Sequence, residues 1–283
     1  MTKFMAAAIQ MDTQDDKKLN LQNAVKGIEE AVAKGAKLIA LPETMNYIGR
    51  DELKQAEPIP GGPTFKILAE QAKKYGIWIH GGSIYEIKPR DNRPYNATML
   101  ISPEGNLVAK YRKLHPFDVI IINGPFNKES DRICPGNEIV TVDTVEVGHL
   151  GLSICYDIRF PEIYRLMAMA GAQVLLAPSN FTINTGRDHW EILLRTRALE
   201  NECYMIAPAQ CGIKPNFQAN GNAMIIDPWG RILARASTDK PEVITAEIDL
   251  DYVDCVRKQL FTLANRRPDV YHMTTTTKRT IMS

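Results

Sequence analysis

The chain has 283 residues, of which 45% are hydrophobic and 24% charged, and its formal net charge is +1. These values are ordinary for a globular protein and give no electrostatic case for nucleic acid or a membrane surface. No apolar run approaches a bilayer span, the N-terminus lacks a signal-peptide pattern, and five irregularly spaced cysteines without Cys-x-x-Cys suit a reducing cytoplasm better than a disulfide scaffold.

The first predicted element is a strand over residues 4–11. An amphipathic helix follows over about 19–34, with Leu21, Val25, Ile28 and Val32 on one face and Gly35 as its stop. A strand over 37–41 then breaks at Pro42-Glu43, where the carboxylate is either a solvated capping residue or a functional group at a strand end. A helix over 64–75 ending at Gly76 leads to apolar runs at 77–84, 97–101 and 107–111. In the last of these, period-2 alternation puts Leu107, Ala109, Tyr111 and Lys113 on one face, and Lys110 and Arg112 with Val108 on the other. Lys113 thus shares the apolar side, either snorkelling at a strand end or held in a site. Residues 116–136 show neither period and form a long loop of the kind that often serves as a lid or binding loop.

Strand 150–154 ends in Cys155, and Pro161 sits well in the first turn of a helix over 162–170. The cysteine is therefore expected where a strand stops and the positive end of the next helix favours a thiolate; a buried structural cysteine is the alternative. Further strands are predicted at 173–177, 204–209, 223–226 and 243–248, with a helix over 187–201 whose Trp190, Leu193, Leu194 and Ala198 form a core or interface face. Alternating strands and helices with fully apolar strands indicate an α/β protein, read as one domain over residues 1–271. The tail 272–283 is expected to be exposed or to pack on a neighbouring subunit.

Glu43, Lys113 and Cys155 supply a base, a cation and a thiol, the parts needed for thiol-dependent acyl transfer from an amide. Other chemistries have less support. Gly151-Leu152-Ser153-Ile154-Cys155 lacks the closing glycine of a serine nucleophile elbow, and Ser153 falls inside the strand. The five histidines show no metal-binding spacing, and no phosphate-binding glycine loop occurs, so neither metal nor cofactor is expected. His115 reads as a packed or hydrogen-bonded residue at a strand end.

The chain resembles the nitrilase superfamily of carbon–nitrogen hydrolases. The resemblance rests on Leu41-Pro42-Glu43, on Tyr111-Arg112-Lys113-Leu114-His115, and on Cys155-Tyr156-Asp157-Ile158-Arg159-Phe160-Pro161-Glu162. It continues through Pro178-Ser179-Asn180-Phe181, Asp227-Pro228-Trp229-Gly230 and Arg266-Arg267-Pro268-Asp269-Val270-Tyr271, covering nearly the whole chain. Within the superfamily it looks most like the Nit branch, which includes ω-amidases and deaminated-glutathione amidases. Three departures leave the substrate open: Pro116 stands where leucine is usual, Gly221-Asn222-Ala223 replaces a Gly-x-Ser, and residues 119–123 are unusually apolar.

The resemblance implies a four-layer α-β-β-α sandwich, which periodicity could not have chosen over a doubly wound sheet. It implies Glu43, Lys113 and Cys155 as catalytic residues, with Glu129 as a second glutamate orienting Lys113 or the substrate. The backbone N–H of Tyr156 would join Lys113 in holding the oxyanion of a Cys155 thioester pathway. Asn180 and Phe181 are expected as pocket walls. Arg159 would grip a substrate carboxylate or form an ion pair with a residue such as Glu162. The expected substrate is a small ω-amide of a dicarboxylic or 2-oxo acid. An N-carbamoyl hydrolase is the alternative, followed by a nitrilase or a non-catalytic interaction protein. A homodimer or higher homo-oligomer is expected.

Overall fold

The computed structural model describes residues 3–120 and 126–282. In chain order its first half runs β1 (Lys3–Gln10), α1 (Lys17–Ala33), β2 (Ala36–Ala40), α2 (Pro63–Tyr75), β3 (Trp78–His80), β4 (Ile84–Glu86), β5 (Tyr95–Ile101) and β6 (Leu107–Arg112). A short antiparallel pair follows, β7 (Asp118–Ile120) and β8 (Phe126–Lys128), and then β9 (Ile139–Thr144) and β10 (Gly148–Leu152). The second half comprises α3 (Pro161–Met169), β11 (Val174–Leu176), α4 (Ile183–Asn201), β12 (Tyr204–Ala207), β13 (Met224–Ile226), β14 (Ile232–Arg235), β15 (Glu242–Asp249), α5 (Leu250–Leu260) and β16 (Lys278–Met282).

The described strands form two seven-stranded sheets. One has the order β15-β1-β2-β3-β5-β4, with β6 on the free edge of β5; the other has the order β14-β13-β12-β11-β10-β9-β16. Alternation along the strands of the first sheet sets the layers. Ala7, Ile9, Ile39, Leu41, Ile79 and Met99 point to one side, where Leu21, Ala24 and Ile28 of α1 and Leu68 and Ala72 of α2 cover them. Phe4, Ala6, Ala8, Leu38, Ala40 and Leu100 point to the other side, into a core shared with Val140, Val142, Leu150 and Leu152 of the second sheet. Helices α3 and α4 close the far face of that sheet, with Trp190, Leu194 and Ala198 fully buried. The result is the four-layer α-β-β-α sandwich, in which each sheet is apolar on both faces because each is covered twice.

Several elements differ from their predicted form. The apolar run at 77–84 is two strands, because Gly81 and Gly82 break it and β3 and β4 pair in turn with β5. Gly82 has φ +61°, and a Cβ there would lie 2.1 Å from the Pro42 carbonyl oxygen. The segment 116–136 is not a plain loop: it carries β7, β8 and a 3-10 turn at Glu129–Asp131. Residues 121–123 of its apolar stretch lie outside the described residues. Strands β9 and β14 and helix α5 were not predicted. The tail contributes β16, which pairs parallel with β9 of the same chain while Met282 stays exposed. Among the described residues, no helix is long and apolar enough to cross a membrane.

Candidate active site

Glu43 lies three residues beyond the end of β2, in a turn clamped against the break between β3 and β4. Ser83 does most of the clamping: its N–H donates to the Pro42 carbonyl (3.2 Å), its hydroxyl accepts from the Thr44 N–H (3.0 Å), and its carbonyl accepts from the Met45 N–H (3.0 Å). The close approach of Gly82 to Pro42 makes this possible, since any side chain there would push the turn away. From the other side the Gln210 amide donates to the Glu43 carbonyl at 3.0 Å.

Lys113 follows β6 directly, on the apolar side that alternation assigns to it, and its residue is only 2% exposed. Its partners on the strand, Lys110 and Arg112, take the other face and both pair there with the buried Glu86. The Lys113 ammonium donates to Glu43 Oε1 at 3.0 Å and to Glu129 Oε2 at 2.9 Å. Glu129 opens the 3-10 turn that follows β8, and its Oε2 also accepts from the Phe117 N–H. One cation is thus held between two carboxylates. Burial works against the charged lysine, but Glu129 and Glu43 outweigh it and hold its pKa well above the usual value.

Cys155 follows β10 by three residues and opens a 3-10 turn, Cys155–Arg159, that separates the strand from α3. Its N–H donates to the Pro178 carbonyl at 2.9 Å, and its φ is +49°, a left-handed conformation that costs a non-glycine residue energy. Thr44, next to Glu43, has φ +52°. Such outliers cluster where geometry serves function. The expectation of a thiolate at a helix end is corrected here: α3 begins only at Pro161, and burial, together with the facing Glu43 carboxylate, pushes the Cys155 thiol well up despite Lys113. Ser153 is fully buried, its hydroxyl shared with Tyr164 and the Leu176 carbonyl, so it is no competing nucleophile.

The fully buried Asp157 ties the lysine strand to the cysteine turn, and sequence reasoning missed it. Its Oδ2 accepts from the Tyr111 hydroxyl (2.7 Å) and the Ile154 N–H (2.9 Å), while its Oδ1 meets the His115 N–H (3.1 Å) and the His115 ring Nδ1 (2.7 Å). His115 in turn stacks on Phe160 with ring centroids 3.6 Å apart, the packed strand-end role read from sequence. The signal was present as Tyr111 and His115 flanking Lys113, but nothing local names their shared partner.

Glu43, Lys113, Glu129 and Cys155 line one cavity of about 340 Å³. Tyr156, Asn180 and Phe181 also line it, and the Asn180 N–H donates to Glu43 Oε2 at 2.8 Å. Asn96, not predicted, donates its side-chain amide to Glu43 Oε1 at 2.8 Å. Arg159 is not brought into the cavity. Its guanidinium meets His189 Nδ1 at 3.3 Å and stands 5.8 Å from the Tyr156 ring and 5.5 Å from the Phe181 ring. The more exposed end of the cavity is formed instead by Ile48, Glu52, Asn127, Arg132, Asn216 and Phe217. Among the described residues, no group of three or more His, Cys, Asp or Glu side chains could hold a metal ion.

A thiol, a carboxylate beside it and a buried ammonium, gathered in one small cavity, can attack an acyl carbon, move the proton and hold the oxyanion. Residues 5–258 match the carbon–nitrogen hydrolase family. A deaminated glutathione amidase of Synechocystis sp. is 42% identical over 271 residues, covering 94% of this chain and 99% of that protein. The human omega-amidase NIT2 is 38% identical over 275 residues, covering 96% and 98% respectively. The crystal structure of Saccharomyces cerevisiae Nit3, a member of branch 10 of the nitrilase superfamily, superposes with a TM-score of 0.84 at 30% identity, over 94% of this chain and 97% of that one. The chain belongs to the carbon–nitrogen hydrolase family, in the Nit branch of the nitrilase superfamily, and is a hydrolase acting on carbon–nitrogen bonds.

Proposed function

We propose that the protein is a thiol-dependent amidase that converts a small ω-amide of a dicarboxylic or 2-oxo acid to the acid and ammonia. The observation that carries this reading is the Lys113 ammonium buried between Glu43 and Glu129 in the cavity that Cys155 lines. Glu43 takes the thiol proton as Cys155 sulfur attacks the carboxamide carbon. Lys113 and the Tyr156 N–H hold the developing oxyanion, the latter as an early donor of its helical turn with no place in that turn's own ladder. Glu43 then passes its proton to the leaving ammonia, and a thioester remains. Water activated by the same carboxylate releases the acid and restores the thiol. Glu129 keeps the lysine in place through its own bond to the Phe117 N–H.

The relatives' names, a deaminated glutathione amidase and an omega-amidase, support an ω-amide over an N-carbamoyl substrate. The five free cysteines fit a cytoplasmic protein. The exposed Ile192 and Leu199, one face of α4 apart by two turns, together with Trp229, fit at least a homodimer.

Ammonia release from a panel of small amides and N-carbamoyl compounds tests the reading. Cys155→Ala is expected to abolish release with an unchanged circular dichroism spectrum, and Lys113→Met to lower kcat by about 100- to 1,000-fold. Substantial turnover by Cys155→Ala, or an effect of Lys113→Met on KM alone, would contradict the assigned roles. Carbon dioxide released with the ammonia would identify the carbamoyl reaction instead.

A further inference from the structure

An ω-amide of a dicarboxylic or 2-oxo acid presents a carboxylate at the end remote from the scissile bond, and that charge needs a partner. Arg159 lies outside the cavity. Among the described residues lining it, the cations are Lys113 and Arg132. Lys113 is committed to Glu43 and Glu129 at the buried end, whereas the Arg132 side chain is 52% exposed at the open end. Arg132 follows directly on the 3-10 turn that Glu129 opens, so one turn braces the buried ammonium and presents a second cation to the mouth.

The Arg132 guanidinium is already oriented. Its Nη1 donates to Glu52 Oε2 at 2.9 Å and its Nη2 to Asn127 Oδ1 at 3.2 Å, and all three residues line the cavity. Glu52 comes from a different part of the chain, the 3-10 turn Glu52–Gln55, and its carboxylate rests in the place that a second carboxylate would take. Burial pushes the Glu52 carboxyl above its usual range in spite of Arg132. A planar guanidinium also matches a carboxylate with two parallel hydrogen bonds, which a lysine cannot.

We propose that Arg132 is the specificity-determining residue of the site, receiving the distal carboxylate of the substrate in exchange for Glu52 while Asn127 keeps the guanidinium aligned. This rests on the amidase reading above and adds to it the residue that selects acidic amides.

The test compares succinamate with 4-methylpentanamide, in which an isopropyl group replaces the carboxylate at nearly the same shape. Ammonia release is measured for the full chain and for Arg132→Leu, Arg132→Lys and Glu52→Gln. The ratio of kcat/KM for succinamate over the neutral amide is expected to fall at least 30-fold in Arg132→Leu, through KM, with partial recovery in Arg132→Lys. Glu52→Gln removes the competing carboxylate and is expected to lower KM for succinamate. A brace without contact to substrate would instead give a higher KM in Glu52→Gln, and that result overturns the proposal. So does a ratio in Arg132→Leu within threefold of the parent. Calorimetric binding of succinamate to Cys155→Ala, weakened at least tenfold by adding Arg132→Leu, supports the assignment independently of turnover; equal binding refutes it. A parent enzyme that prefers 4-methylpentanamide also refutes it, together with the acidic substrate class proposed above, while leaving the thiol-dependent amidase chemistry intact.

Discussion

Cys155 shows how one residue's surroundings set its chemistry. In water a thiol is already a few per cent ionised at neutral pH. In this cavity desolvation and the neighbouring Glu43 carboxylate raise its pKa, and the Lys113 ammonium only partly offsets them. Under the proposed mechanism the nucleophile rests as the neutral thiol, and Glu43 removes its proton only as bond formation begins. The sign follows directly: with a raised pKa, the thiolate fraction keeps growing above pH 9. Inactivation by iodoacetamide, followed at Cys155 by mass spectrometry, should accelerate with pH through 9 without levelling off. A plateau near pH 7 would mean that Lys113 wins and the thiolate is the resting form.

At the scale of elements, the site depends on three strand ends brought together by turns whose geometry leaves little freedom. Glu43 hangs from β2, Lys113 from β6 and Cys155 from β10, so both sheets contribute. The Glu43 turn is set by the interruption between β3 and β4. Gly82→Ala would place a methyl group 2.1 Å from the Pro42 oxygen and 2.8 Å from that of Leu41, at a residue with φ +61°. The left-handed conformation alone costs an alanine about 1–2 kcal/mol, and the clash must be relieved by moving residues 41–43. Loss of at least ~2 kcal/mol in denaturant unfolding and a tenfold or greater fall in kcat are expected. Wild-type kcat with lowered stability would show that the turn does not aim Glu43. Helix α3 is a contrast. Its predicted existence was correct, but an intervening 3-10 turn removes its N-terminus from Cys155, and no sequence pattern distinguishes that short turn from the first turn of the helix.

The whole molecule buries polar groups as well as apolar ones, and the first sheet pays for this at low pH. His80 at the end of β3 is fully buried, with Nε2 at 2.9 Å from the Thr98 hydroxyl, and burial lowers its pKa to about 3. A depressed pKa means that its contribution to stability is complete above the unfolded value near 6.5 and is lost as pH falls towards 3. Between pH 7 and pH 5 this one group should cost about 2 kcal/mol. His80→Asn retains a partner for Thr98 but cannot titrate, so urea unfolding at the two pH values should show a difference smaller by about that amount. An unchanged pH dependence would place the acid sensitivity elsewhere. As for what each level decided, the sequence by itself determined the α/β class, most of the long elements, and Glu43, Lys113 and Cys155 as candidate site residues, with Glu129 added by the family resemblance. Strand-end positions, period-2 alternation and extended motifs are local properties, legible without a fold. Only the tertiary structure decided that Asp157 joins the lysine strand to the cysteine turn, that Arg132 and not Arg159 lines the cavity, and that burial beside Glu43 raises the Cys155 thiol's pKa. Each of these depends on partners 40 or more residues away or on exclusion of water, and neither is written in the neighbouring residues.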